Sequence, residues 1–283
     1  MTPSPLISVA ELARRYDDPD WLPVDCRFDL MNPAAGEAEY ARGHIPGAVY
    51  AHLDRDLSSP ITPASGRHPL PSPEKFAEAV SSWGIQPGTR VVAHDADNSA
   101  YASRLWWLLR WAGHPNVFVL DGGFKAWRAA GLPISTSRPE RQPSNFVARP
   151  DNARWVDVET VTDKVARPDW AVLDARAPER FAGEVEPIDK VAGHVPGARN
   201  YPLGTSLTGD ATFLPAAELR TRLEKSLAGV SPSHTIAMCG SGVTACHVLL
   251  AMEQAGLTGA KLYAGSWSEW IRDPHRPTAK GKN

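Results

Sequence analysis

Four short apolar runs, at 91–94, 117–120, 235–238 and 261–263, are too brief for helices and are bounded by polar or glycine-bearing stretches, so they predict buried strands. Longer segments with apolar residues at helical spacing lie between them. Two of these, 102–113 and 244–256, end in Ala112-Gly113 and Ala255-Gly256. A glycine just past the last helical turn is a common left-handed stop, so both are read as helices ending at equivalent points. Strand alternating with helix predicts βα units on a mostly parallel sheet, an α/β fold whose ligand sites fall at the carboxyl ends of the strands. Trp106, Trp107 and Trp111 recur at helical spacing on the first helix. They are read as packing residues, in a core or between domains, rather than as an aromatic ligand box.

The pattern occurs twice, with a period of about 145 residues. Leu22-Pro23-Val24-Asp25-Cys26-Arg27 answers to Ala171-Val172-Leu173-Asp174-Ala175-Arg176, and Gly43-His44-Ile45-Pro46-Gly47-Ala48 to Gly193-His194-Val195-Pro196-Gly197-Ala198. Further on, 91–95 matches 235–239, and the stretch from Leu120-Asp121-Gly122-Gly123 to Trp127 matches that from Leu262-Tyr263-Ala264-Gly265 to Trp270. A chain of 283 residues also exceeds one comfortable core. Residues 133–152 are rich in Ser, Pro and Arg and lack apolar periodicity, as expected of a surface linker. The expected domains are 1–140 and 153–283, joined by 141–152.

With 42% hydrophobic and 22% charged residues and a formal net charge of -2, the composition gives no electrostatic reason to expect nucleic acid or an anionic membrane as partner. Any anion binding must be local. No basic segment followed by an apolar one opens the chain, and no apolar run approaches a membrane span, so a cytoplasmic protein is expected. The three cysteines, Cys26, Cys239 and Cys246, are too few for a disulfide framework and lack the paired spacing of a zinc site. Reduced thiols are expected.

Cys239 is the candidate nucleophile. It follows an expected strand and precedes Gly240, Ser241, Gly242, Val243 and Thr244, after which a helix begins. Glycines let such a loop curl so that successive N–H groups converge on an anion at the positive helix end. A cysteine facing that nest gains thiolate character. The competing reading is a buried inert thiol, which suits Cys246 within its apolar stripe and Cys26 at a strand end.

Cys-Gly-Ser-Gly-Val-Thr-Ala-Cys-His at 239–247, with Gly-His-Val-Pro-Gly-Ala at 193–198 and Leu-Tyr-Ala-Gly-Ser-Trp-Ser-Glu-Trp at 262–270, resembles the tandem-domain rhodanese and 3-mercaptopyruvate sulfurtransferase family. The resemblance covers nearly the whole chain. It implies two tandem rhodanese-like domains, the first non-catalytic, with Asp95 where the cysteine would stand. It implies double displacement: Cys239 takes sulfur from a donor, holds it as a persulfide cradled by N–H groups of 240–244, and passes it to an acceptor, with no metal or organic cofactor.

In this family, basic residues after the cysteine suit thiosulfate, whereas Cys-Gly-Ser-Gly-Val-Thr is the mercaptopyruvate form. The uncharged loop therefore points to 3-mercaptopyruvate, with thiosulfate as the alternative donor. A basic residue at Gly242, or Arg-Lys in place of Gly240-Ser241, is expected to move preference toward thiosulfate. The resemblance assigns Ser241, His68 and Asp54 to a proton relay, Arg180 to the donor carboxylate, and Tyr101 to the donor from the first domain. Read from spacing alone, His68 in Arg67-His68-Pro69-Leu70-Pro71 is a surface residue. A second family arginine, some nine residues beyond Arg180, is absent; 184–190 reads Glu-Val-Glu-Pro-Ile-Asp-Lys, and Lys190 is the available substitute. His44 and His194 are read as structural, since the copy without a cysteine has one too. The acceptor is a small thiol, cyanide or a thioredoxin-like protein.

Two other classes compete. A phosphatase of this fold needs an arginine six positions after the cysteine, where Ala245 stands, in a loop one residue longer. A non-enzymatic scaffold or sulfur-carrier binding module would not need Cys239.

Overall fold

Strands buried on both faces of a parallel sheet read as unbroken apolar runs, and the four such runs become central strands of two sheets. These are seen in a computed structural model that describes residues 4–281. In the first sheet β1 (Leu6–Ile7), β2 (Trp21–Asp25), β3 (Val49–Tyr50), β4 (Arg90–His94) and β5 (Val117–Leu120) lie in the order β1-β5-β4-β2-β3. In the second, β6 (Trp155–Val156), β7 (Ala171–Asp174), β8 (Arg199–Asn200), β9 (Thr235–Met238) and β10 (Lys261–Tyr263) repeat it as β6-β10-β9-β7-β8. Every pairing is parallel. The chain is thus α/β, with helices flanking both sheets.

The registers repeat as well: Asp25 lies opposite His94, and Asp174 opposite Met238. Each sheet ends in the same buried ion pair. Arg27 Nη2 meets Asp25 Oδ2 at 2.6 Å and donates to the Gly43 carbonyl at 2.7 Å; Arg176 Nη2 meets Asp174 Oδ2 at 2.7 Å and donates to the Gly193 carbonyl at 2.8 Å. His44 stacks on Tyr40 and His194 on Phe181, each Nδ1 lying 2.8 Å from that neighbour's carbonyl oxygen. Both histidines brace main chain within their own unit.

The helices Ala102–Trp111 and Ala245–Gln254 follow β4 and β9 and stop before Gly113 and Gly256, both at positive φ. Trp107 stacks on Trp111, and Trp111 packs against Phe76 in the first unit.

Packing divides the chain into two units, and not by a single cut. One runs to Ser59, resumes over Leu70–Asp151 and takes in Gly209–Phe213; the other comprises Pro60–Pro69, Asn152–Thr208 and the chain from Leu214 on. The segment 141–151 is pinned to the first unit by main-chain bonds: Ser144 N–H to Ser81 O at 2.9 Å, Arg149 N–H to Ala112 O at 2.8 Å and Asp151 N–H to Trp111 O at 2.9 Å. Those carbonyls belong to the last turns or caps of helices, which otherwise lack partners. No described helix is long and apolar enough to cross a membrane.

Candidate active site

Cys239 follows Met238 at the carboxyl end of β9, the place where parallel sheets present ligand sites. The turn after β10 fixes its backbone. Cys239 N–H donates to Ser266 Oγ at 3.0 Å, and Ser266 Oγ donates to Tyr263 O at 2.8 Å. Trp267 N–H reaches Cys239 O at 3.0 Å, and Ser268 N–H reaches Gly240 O at 2.9 Å. The start of the loop is thereby tied to that turn.

The N–H groups of Gly242 and Ser241 point at Cys239 Sγ, at 3.1 and 3.4 Å. Gly242 adopts φ +77, and a Cβ there would stand 2.2 Å from Ala264 O, so only glycine permits this curl. Val243 is buried, and Thr244 caps the helix that begins at Ala245. Cys246 Sγ donates to Gly242 O at 3.4 Å from a wholly buried position. Cys26 is also buried, which pushes its thiol well up from the ordinary value.

Ser241 Oγ lies 2.7 Å from His68 Nδ1. His68 is 5% exposed and belongs to the stretch Pro60–Pro69 that packs with the second unit. Its neighbour seats it: Arg67 N–H donates to Ser268 Oγ at 3.0 Å. The surface reading of His68 drawn from spacing alone does not hold.

The arginines are the part least visible beforehand. Arg180 Nη2 bonds Glu186 Oε1 at 2.7 Å and Asp189 Oδ2 at 3.2 Å, and Arg67 pairs with the other oxygen of Asp189. Burial pushes the Asp189 carboxyl up, against the pull of Arg67 and Arg180. For Glu186 burial also acts upward, but Arg180 and the N–H groups of Asp189 and Ile188 outweigh it and leave that carboxyl below its ordinary value. Both guanidiniums border the thiol loop: a Cβ at Gly240 would lie 2.9 Å from Arg67 Nη2 and 3.6 Å from both terminal nitrogens of Arg180. Lys190, the substitute considered from sequence, is exposed.

Asp54 and Tyr101 lie in the first unit. Asp54 is exposed beyond β3, its N–H donating to His52 Nδ1 at 3.2 Å. Tyr101 precedes the helix Ala102–Trp111, edge-on to Phe28, and burial pushes its hydroxyl up to about 12, so it is protonated at neutral pH.

The first unit shows what the cradle becomes without a cysteine. Asp95 fills its own nest, its carboxylate accepting N–H bonds from Ser99, Tyr101 and Ala102 at 3.0, 2.8 and 3.2 Å.

Ser266 escaped the sequence reading. Phe124 N–H bonds Asp95 O as Trp267 N–H bonds Cys239 O, which pairs Gly123 with Ser266 and Leu120 with Tyr263. The sequence pairing had matched 120–123 with 262–265, one residue off. Gly123 and Ser266 share a left-handed backbone, φ +58 and +54. A serine held in a glycine's conformation, its hydroxyl on the Cys239 N–H, is the signal that a correct pairing would have exposed.

A duplicated α/β chain with one cysteine set in a main-chain N–H cradle defines a thiol-centred protein. The pattern of the Rhodanese-like domain family matches residues 8–130 and 157–273. A protein of Pseudomonas aeruginosa named "Probable 3-mercaptopyruvate sulfurtransferase" is 46% identical over 283 residues, covering 99% of this chain and all of that one. The "Thiosulfate sulfurtransferase" of Cricetulus griseus is 37% identical over 255 residues, 87% of this chain and 84% of that one. The solved 3-mercaptopyruvate sulfurtransferase from Leishmania major superposes with a TM-score of 0.85 at 30% identity, covering 98% of this chain and 76% of that one. The chain belongs to the rhodanese-like domain family.

Proposed function

We propose that this protein is a sulfurtransferase that takes sulfur from 3-mercaptopyruvate onto Cys239 and passes it to a thiol or cyanide. The Cys239 thiolate attacks the donor's thiol sulfur, an S–S bond forms and the donor's C–S bond breaks. The carbon departs as the enolate of pyruvate and takes up a proton in place of the sulfur. The persulfide's charge is met by the Ser241 and Gly242 N–H groups aimed at Sγ. A nucleophilic acceptor then attacks the outer sulfur and restores Cys239.

The observation that carries the donor choice is the 2.7 Å contact between Ser241 Oγ and His68 Nδ1. With mercaptopyruvate, a proton must leave the donor thiol and reach carbon, and a hydroxyl backed by imidazole is built to move one. Thiosulfate cleavage releases sulfite and moves no proton, so the relay would serve no purpose in that reaction. Thiosulfate remains the second reading because two guanidiniums border Gly240 and suit a doubly charged donor. Pyruvate release from mercaptopyruvate by the wild type and not by Cys239→Ser tests the proposal; turnover with thiosulfate alone would move it to the second reading, and turnover with neither would leave a scaffold.

In this reading Gly240, Val243 and Thr244 shape the anion cradle. Domains at 1–140 and 153–283, joined by 141–152, follow from the repeat. Reduced thiols suit work in a reducing compartment such as the cytoplasm, where a thioredoxin-like protein would accept the sulfur.

A further inference from the structure

Two guanidiniums stand beside Gly240, although the sequence around the cysteine carries no positive charge and only Arg180 was expected to reach it. The second is Arg67, brought by the same stretch that carries His68. Both are tied to one carboxylate. Asp189 gives one oxygen to Arg67 and the other to Arg180, so it spans the gap between the two forks as a bound planar carboxylate would. Its side chain is 5% exposed, while those of Arg67 and Arg180 are 21% and 17% exposed and open to solvent.

Charge decides what this arrangement favours. Arg67, Arg180 and Arg176 are balanced by Asp189, Glu186 and Asp174, so the subsite is neutral before a donor arrives. Glu186 is fixed by two bonds from Arg180 and by the N–H groups of Ile188 and Asp189. Asp189 takes side-chain bonds from Arg67 and Arg180, the two groups a donor would engage, and burial raises its carboxyl.

We propose that Arg67 and Arg180 together bind the donor's anionic group, and that Asp189 is an internal carboxylate that occupies the pair until a donor displaces it and disfavours doubly charged donors. The proposal rests on the sulfurtransferase reading and adds to it a residue pair setting donor choice. A mercaptopyruvate carboxylate replaces Asp189 with a group of the same shape and charge. Thiosulfate brings a tetrahedral end and a second charge next to a retained acid.

The test uses Asp189→Asn, Arg67→Gln and Arg67→Lys, with kcat and KM on both donors. Asp189→Asn is expected to raise thiosulfate efficiency relative to mercaptopyruvate about tenfold, the size of one charge removed at a partly screened site. Arg67→Gln is expected to raise the KM for mercaptopyruvate about tenfold with kcat little changed, and Arg67→Lys to recover part of that loss. A second readout needs no turnover: the rate of Cys239 alkylation by anionic iodoacetate relative to neutral iodoacetamide, followed by peptide mass. That ratio should rise in Asp189→Asn and fall in Arg67→Gln. An unchanged donor ratio in Asp189→Asn together with an unchanged alkylation ratio would overturn the proposal, as would a wild-type KM in Arg67→Gln. Absence of sulfur transfer by the wild type would instead remove the underlying function and leave the alkylation ratios to judge the cation pair.

Discussion

Two glycines of one loop should respond to the same substitution very differently. In Gly242→Ala the new Cβ meets Ala264 O at 2.2 Å and Ala264 Cα at 2.8 Å, both backbone atoms, on a residue whose φ is +77. The left-handed conformation alone costs an alanine about 1–2 kcal/mol. Relieving the overlap must also move either Ala264, which precedes the Ser266 anchor of Cys239, or the Gly242 N–H that lies 3.1 Å from Sγ. The total expected loss is about 3 kcal/mol of stability. Displacing one N–H of an anion cradle should lower kcat by a further ~100-fold or more. In Gly240→Ala, φ lies outside the left-handed region and the close atom, Arg67 Nη2 at 2.9 Å, ends a flexible side chain. That variant should unfold within about 0.5 kcal/mol of wild type and show its defect in the donor KM. Urea unfolding gives the stabilities, and pyruvate release with varied mercaptopyruvate gives the kinetics. Gly242→Ala behaving like wild type in both would refute the cradle geometry. The same distances rule against testing donor choice by placing a basic side chain at 242, because its Cβ does not fit.

Ser241→Ala should lower kcat on mercaptopyruvate by roughly 100-fold or more while leaving thiosulfate turnover within a few-fold, since only the first reaction moves a proton; equal losses on both donors would contradict the relay. Asp95→Ala leaves three N–H groups of the first unit without their acceptor, so urea unfolding should show a loss of about 2–3 kcal/mol. Because burial raises the Asp95 carboxyl, the folded state binds its proton more tightly than the unfolded chain does. Its contribution should therefore fall as pH rises from about 4 through the raised value, a slope that Asp95→Asn should remove from the pH-stability curve. Iodoacetamide on the native protein should modify Cys239 ahead of Cys26 and Cys246; exposure does not separate the three, at 2%, 1% and 0%, but two loop N–H groups face Cys239 Sγ while burial pushes the Cys26 thiol well up. Peptide mapping that finds Cys26 modified first would contradict this reading.

The repeat, the four central strands and the thiol loop were legible because each rests on local chemistry. A strand covered on both faces must be apolar throughout, and a helix that ends sharply calls for glycine. Arg67 was not legible in this way. Its place beside Gly240 depends on a Pro-rich stretch without periodicity folding onto a unit that begins far along the chain, and the cation pair exists only in three dimensions. Asp189 read as the absence of an arginine, whereas it is the partner of one supplied from elsewhere. Ser266 was hidden by a one-residue error in pairing the copies, which only the hydrogen bonds of the two turns correct. The stretch 141–151 read as a linker because it is rich in Ser, Pro and Arg and lacks apolar periodicity; its bonds to helix ends run through main chain, on which composition is silent.

The central claim is that Cys239 holds the transferred sulfur in its N–H cradle. Mixing the protein with a slight excess of mercaptopyruvate, without acceptor, and mapping peptides by mass should show the gain of one sulfur atom on the peptide bearing Cys239, removed by cyanide and absent in Cys239→Ser. Sulfur found on Cys26 or Cys246 instead, or pyruvate released with Cys239 unmodified throughout, would contradict the account.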